Sequence, residues 1–442
     1  MTSETVTLAG HIIDSLALPK TLDEIVALGA TYEIVELRLG VKQDDESFAR
    51  IEITAADEHA LGNVNETLRQ HGANPETIED ADIADADVDG AFPPGFYSST
   101  NLETDVRIGG RWIPVTRPEM DCGLTVDGDT VRTVAMSDVT AGMRIVMSGL
   151  GIRVHPPVKP GGPGAQDFGF MSSDVSSEKP KALLVDRVAE QMRAVKESGK
   201  RILWVAGPAV VHTGSGPDLA ALIRAGYVQA FFAGNGVAAH DIESNMFGTS
   251  LGVYLEQGTP ADHGHEHHIR AINELRRHGS FEAAIDAGVF NDGIVYHLVK
   301  SGADYLFGGS VRDDGPLPDV VTDMLEVQRR LRDIIWGEGD RDGRPGPDAE
   351  DKGLIGFCIV VGTMLHGIAT GNCLPASVPL VCVDINQATV TKLMDRGSFQ
   401  SMGIITDVGL FIRELAERLA PDEIRPPEEE AEARVAGSRT RR

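Results

Sequence analysis

The chain reads as an α/β protein: a C-terminal doubly wound parallel sheet, preceded by an N-terminal ferredoxin-like α+β domain and a small β module. Three observations carry that reading. From Ala182 onward, strands and helices alternate over roughly 240 residues, the pattern of a sheet covered by helices on both faces. Residues 4 to 75 run strand, helix, strand, strand, helix, the order of a small split βαβ sandwich. Between Phe92 and Pro157 the pattern changes to short strands separated by turn residues. The corresponding divisions are 1–90, 91–180, 181–420, and a tail at 421–442 that lacks apolar periodicity and is expected to be disordered.

Taken in order, TVTLAGHII alternates as a strand, TLDEIVALGA reads as a helix, TYEIVELRLG and FARIEITA as two strands, and ADEHALGNVNETLRQHG as an amphipathic helix. Glu76 to Asp89 holds seven carboxylates and no base, which reads as a solvated linker. In the β module, Gly109-Gly110 and Asp127-Gly128 are hairpin signals. The run from Pro157 to Lys181 is long enough to be a functional loop. Beyond it, a helix near Leu183 to Glu197 precedes the strand Ile202 to Ala206, and a helix Pro217 to Ala225 precedes the strand Val228 to Ala233. Asp304 to Phe307 reads as a further strand. Three apolar runs, Leu354 to Val361, Val378 to Val383 and Met402 to Ile405, read as strands buried on both faces.

Composition narrows the functional classes. A chain of 442 residues admits two or three domains, and 42% hydrophobic residues can fill their cores. A formal charge of −27 argues against nucleic acid or anionic membranes as partners, since both call for a basic surface. No apolar run approaches the roughly 20 residues that cross a bilayer, and MTSETVTLAG lacks the regions of a signal peptide, so a cytoplasmic location is expected. Cys122, Cys358, Cys373 and Cys382 form no CxxC pair, and reduced core thiols are expected. Six further carboxylates lie between Glu338 and Asp351, in what reads as another solvated loop.

Polar groups gather at predicted strand ends. Gly362-Thr363-Met364-Leu365-His366 follows the first of the three apolar runs, where a turn feeding a helix presents free N–H groups to an anion. Asp384 ends the second run; it is placed to hold the ribose hydroxyls of an adenosine, or to cap the helix that begins near Gln387. Thr406-Asp407-Val408 ends the third. A dinucleotide is therefore the first ligand to consider, against the alternative that these are ordinary loop residues of an α/β domain. Gly234-Asn235-Gly236-Val237-Ala238-Ala239 is a GxGxxA run between strand and helix, but no acidic partner appears on the following strand. Arg312-Asp313-Asp314 follows another strand and reads equally as a solvated ion pair. His240-Asp241 sits on the first turns of the helix after the glycine loop. His263, His265, His267 and His268 form a histidine-rich helix start that has no second ligand group elsewhere, and no metal is expected.

The segments VHTGSGPDLAALIRAGYVQAFFAGNGVAAHDIESNMFGTSLG, GGSVRDDGPLPDV, VGTMLHGIATGNCLP and VCVDINQATVTKLMDRGSFQSMGIITDV together resemble the NAD-dependent ornithine cyclodeaminase family of archaea. They are also similar to the C-terminal part of the cyanobacterial arginine dihydrolase/ornithine cyclodeaminases, without the arginine dihydrolase module. The N-terminal region, with GFYSSTN and WIPVTRPEMDCG, resembles the domain named after lysine-oxoglutarate reductase and saccharopine dehydrogenase. The resemblance implies a deoxyhypusine-synthase-like NAD fold. It also implies NAD contacts at Asn235, Gly236, Asp314, Thr363, Met364, Leu365, His366, Asp384, Asp407 and Val408. The implied reaction converts L-ornithine to L-proline and ammonia, with the hydride taken from and returned to the substrate, which favours a tightly held cofactor and a dry site.

That chemistry calls for proton transfer and for a cation facing the substrate carboxylate. By position, Asp313, Asp314, His240 and Asp241 are the acid–base candidates, and Arg312 is the candidate carboxylate ligand. Asp384 argues against NADP, because a carboxylate repels a 2′-phosphate. A homo-oligomer is expected, with a small amino acid as substrate. Two other readings stand beside this one: an NAD-dependent amino-acid oxidoreductase that releases NADH, and a non-catalytic NAD-binding regulatory protein.

Overall fold

The computed structural model describes residues 1–10, 12–13, 17–40, 45, 47–69, 72–76, 79–147, 149–155, 181–311, 315–337, 353–396 and 401–424. The long loop after Pro157, the triplet Arg312-Asp313-Asp314, nearly all of the acidic insertion before Lys352, and the tail beyond Ile424 lie outside those residues.

At the N-terminus a four-stranded antiparallel sheet runs in the order Thr31–Arg38, Ser47–Ala55, Thr2–Gly10, Asn74–Pro75. Helices Ala17–Ala27 and Glu58–Arg69 cover one face, where Val6, Leu8, Ile51 and Ile53 meet Ile25, Leu61, Val64 and Leu68. This is the expected ferredoxin-like arrangement, with one boundary moved. The first strand ends at Gly10, whose φ of 113° turns the chain, and Ile12 drops into the core while its carbonyl accepts from the Leu18 N–H.

The second sheet has seven strands in the order Ile152–Val154, Thr104–Ile108, Arg111–Thr116, Thr130–Val134, Gly123–Asp127, Arg144–Val146, Ile83–Asp85. Both hairpins signalled by sequence are present: Gly109 and Gly110 turn at φ 57° and 77°, and Gly128 at 56°. The acidic stretch is not merely a linker, because Ile83–Asp85 pairs with Arg144–Val146 while Asp80 accepts from the Gly110 N–H and pairs with Arg107. This sheet packs on the C-terminal domain through Asn101, whose carbonyl accepts from Ala376 N, and through the ion pair of Glu119 and Arg332 at 2.7 Å, largely closed from solvent.

The third sheet is parallel throughout: Val320–Val321, Asp304–Gly308, Ala230–Gly234, Arg201–Ala206, Ile355–Val361, Leu380–Asp384, Ser401–Ile405. Its strands alternate between two cores because both faces are covered. Ile202, Trp204, Phe357 and Ile359 join the helices Lys181–Glu197, Gly216–Arg224 and Val408–Leu419 on one face. Leu203, Val205, Cys358 and Val360 meet Met324–Trp336, Leu365–Cys373 and Gln387–Arg396 on the other. Strand order reverses between Arg201–Ala206 and Ile355–Val361, and at such a reversal the loops on the carboxyl edge diverge to opposite faces and leave a crevice. Pro421–Ile424, expected to be disordered, forms one helical turn, held because Arg224 pairs with Glu423 and donates to its carbonyl.

Candidate active site

Glycines let the loops converge at the reversal. A Cβ on Gly207, directly after the first strand of the parallel sheet, would overlap the Gly362 carbonyl oxygen, so the two central loops touch backbone to backbone. Gly362 itself turns at φ 61° with Ala209 and Val408 against it. A Cβ on Gly234 would lie 3.0 Å from His366 Cε1, and one on Gly409 would lie 2.8 Å from Thr213 Oγ1. Five loops therefore meet: 207–215, 234–236, 362–366, the end of 380–384, and 407–409. The expected contacts Gly236, Thr363, Met364, Leu365, His366 and Val408 fall within this cluster, with Asp384 at the end of one strand and Asp407 two residues after the next.

The helix termini there are not equivalent. Asn235–Phe247 and Leu365–Cys373 begin at Gly234 and Met364 without a side-chain cap, which leaves backbone N–H groups for an anion. Val408–Leu419 is capped, since Asp407 Oδ1 accepts from the Leu410 N–H at 2.9 Å. Asp384 is half-exposed and its Oδ1 accepts from Asn386 N at 2.7 Å, while Asn386 caps the next helix through Ala388 N. The cap of that helix is thus Asn386, and Asp384 Oδ2 takes no part in that turn. Asp384 follows the Gly362 loop by the roughly 20 residues that separate glycine loop and ribose carboxylate in dinucleotide-binding folds. The glycine run Gly234-Asn235-Gly236 follows the second strand of the sheet and not the first, and Asp384 stands in the other half, beyond the strand-order reversal.

Asn235 is 3% exposed; its Oδ1 accepts from Leu317 N at 3.0 Å and its Nδ2 donates to the Gly315 carbonyl at 3.4 Å, so its side chain ties down the segment directly after Asp314. His366 packs its ring 4.7 Å from Phe232, and burial holds its imidazole below the usual range, hence neutral. Asp241, expected among the acid–base groups, is buried, and its two oxygens accept from Ile294 N and Val295 N at 3.0 and 2.8 Å. It anchors the start of helix Ile294–Ser301, a role corrected from the expectation. Arg312, Asp313 and Asp314 lie outside the described residues. Sequence reasoning missed Gly207 and Thr213, because only strand order reveals that they border the crevice. All four cysteines are buried and free.

The family model described as arginine dihydrolase ArgZ-like, C-terminal, Rossmann fold, matches residues 186–415; the first region of the same C-terminal unit matches 103–185, and the LOR/SDH bifunctional enzyme conserved region matches 3–102. An ornithine cyclodeaminase of Methanocaldococcus jannaschii is 43% identical over 93% of this chain and 95% of its own length. The chain belongs to the ArgZ-like ornithine cyclodeaminase family. Its relative in Methanopyrus kandleri, also named ornithine cyclodeaminase, is 44% identical over 94% of this chain and 97% of that protein. Among solved structures, apo ArgZ, an arginine dihydrolase of the cyanobacterial ornithine-ammonia cycle, superposes with a TM-score of 0.78 at 33% identity; it covers 95% of this chain, which spans 58% of ArgZ. A putative LOR/SDH protein from Methanococcus maripaludis gives 0.69 at 39% identity over 78% of this chain and 98% of that one. The region matched by the Rossmann-fold model contains the parallel sheet just described.

Proposed function

We propose that this ornithine cyclodeaminase family member converts L-ornithine to L-proline and ammonia, with NAD+ held at the sheet reversal. The observation that supports it most directly is the likeness to archaeal ornithine cyclodeaminases over nearly the full length of both chains, with the dinucleotide-type crevice falling inside the matched region. The residues present fit the cofactor: glycines bring two loops into backbone contact, two helix N-termini are uncapped, and a carboxylate stands at ribose spacing. When bound, NAD+ supplies a reversible hydride acceptor, so no net NADH accumulates.

In this reading Gly236 and the amides of Thr363 to His366 cradle phosphates, Asp384 accepts from the ribose, and Val408 packs beside Gly362. Asp407, whose outer face is exposed, and Asp314 complete the cofactor set. His240, or Asp313 and Asp314, moves the protons, and Arg312 binds the substrate carboxylate. We also propose a cytoplasmic homo-oligomer. In support, no helix among the described residues is long and apolar enough to cross a membrane. The edge strand Thr31–Arg38 also exposes Tyr32, Ile34, Val35 and Leu37, a surface of the kind that associates.

The test is direct. Purified chain with NAD+ and L-ornithine is expected to yield equimolar proline and ammonia with no net rise in NADH absorbance, and no product from lysine or arginine. Steady NADH release would instead identify an ordinary amino-acid oxidoreductase, and NAD binding without product a regulatory protein.

A further inference from the structure

Beside the crevice lies a buried group that the reading above leaves unused. Helix Asn235–Phe247 carries His240 and Glu243 three residues apart, on one face. The Glu243 side chain is fully buried, yet both oxygens are satisfied: Oε1 accepts from Thr249 Oγ1 at 2.9 Å and Gly252 N at 3.0 Å, and Oε2 from Leu251 N at 3.2 Å. Oε2 also meets His240 Nδ1 at 2.8 Å. Burial pushes the Glu243 carboxyl up, but the bonds from His240, Gly252 and Thr249 outweigh it and hold the group below the usual range, as a carboxylate. A carboxylate only accepts, so Nδ1 of His240 carries the proton and, in the neutral ring, Nε2 carries the lone pair.

The surroundings connect this pair to the crevice. The groups facing His240 are Glu243 from its own helix, His212 with ring centroids 4.8 Å away, and His268 at 6.1 Å. His212 ends the short helix that follows Gly207, and its Nδ1 lies 2.7 Å from Ser250 Oγ. Burial and the neighbouring His240 hold His212 below the usual range, against the opposing pull of Glu243, so it adds no fixed positive charge. The Glu243 cluster therefore holds one imidazole through Nδ1, with the rings of His212 and His268 beside it. A carboxylate meant only to clamp the 249–252 turn would have no use for the fourth bond.

We propose that Glu243 is a positioning residue that fixes the His240 tautomer and orients Nε2 as the proton shuttle between the two nitrogens of the diamino acid. This rests on the proposed cyclodeamination. With the α-carbon at the imine level, the δ-nitrogen forms a bond to it and gives its proton to Nε2. The imidazolium, stabilised by Glu243, returns that proton to the α-nitrogen, whose bond to carbon breaks as ammonia leaves. No proton or electron is gained or lost overall.

Two variants and one spectroscopic measurement test it. His240→Asn is expected to lower kcat by roughly 10²–10⁴-fold, the usual contribution of a positioned base, with NAD+ affinity retained. Glu243→Gln is expected to lower kcat less, because the base remains and only its fixed orientation is lost. In ¹⁵N-histidine spectra, His240 is expected as the Nδ1–H tautomer in the wild-type chain and as a mixture in Glu243→Gln. An active wild type whose His240→Asn variant keeps kcat overturns the inference, as does an Nε2–H tautomer in the wild type. If Glu243→Gln does not fold, His240→Asn, which leaves every backbone partner of Glu243 in place, decides alone. A wild type that holds the Nδ1–H tautomer but makes no proline refutes the proposed reaction itself.

Discussion

Two pairs of carboxylates border the same crevice and are built in opposite ways. Asp384 ends a strand and Asp407 caps the helix after the next one; both remain accessible, and each accepts one hydrogen bond from a residue two or three positions ahead. Asp241 and Glu243 lie two residues apart on one helix and are buried: the first accepts from Ile294 and Val295, more than fifty positions on, and the second from His240 and from the 249–252 turn beyond the end of the helix. The outer pair is shaped by local turns and leaves oxygen lone pairs for a ligand. The inner pair is consumed by tertiary contacts, so its members hold structure or another side chain in place.

The largest effect expected from this contrast falls on Asp241. Asp241→Ala leaves the Ile294 and Val295 amides buried without an acceptor, at a cost of about 2–4 kcal/mol in denaturant unfolding. Burial raises the Asp241 carboxyl to about 7, above its unfolded value, outweighing the two backbone bonds. The sign follows: the folded chain holds the proton more tightly, so this residue's contribution is fully present at low pH and is lost as pH rises toward 7. Measured against Asp241→Asn, which does not ionise, the wild type should lose relative stability between about pH 4 and pH 7. A flat difference across that window would place a charged Asp241 among the outer type.

A smaller effect is expected at Asp407. Removing its cap with Asp407→Ala should cost about 1 kcal/mol, as N-cap losses do. Because Leu410 N is reached from solvent, no buried donor is stranded, and the loss should stay well below that of Asp241→Ala. Equal losses at the two positions would erase the distinction.

The same contrast explains what the sequence could disclose. Ile355–Val361 and Leu380–Asp384 were legible because unbroken apolar runs have few alternatives to strands buried on both faces. The Gly109-Gly110 turn was legible because few residues adopt its backbone. Ile83–Asp85 was hidden in acid, since a three-residue edge strand depends on a partner some 60 positions on, at Arg144–Val146. Asp241 and Glu243 looked alike in the string His240-Asp241-Ile242-Glu243, and only the turn at 249–252 and the start of the 294–301 helix assign them different roles. Gly207 carries no local signal, because its partner, Gly362, becomes a neighbour only through the reversal of strand order.

The smallest stability effect and the sharpest functional one belong to Asp384. Its single bond to Asn386 N is exposed, and the helix beyond is capped by Asn386, so Asp384→Ala should change unfolding by no more than about 0.5 kcal/mol, as for surface substitutions. NAD+ affinity should nevertheless fall roughly tenfold, about 1.4 kcal/mol, if a charge-assisted bond to the ribose is lost. NADP+ should gain relative to NAD+ in the same variant, because the repulsion of a 2′-phosphate has gone. Titration of both cofactors by fluorescence separates these outcomes from a structural one: lowered stability with unchanged NAD+ affinity would move Asp384 into the company of Asp407 as a turn residue, and the ribose would have to be held by another group on that edge.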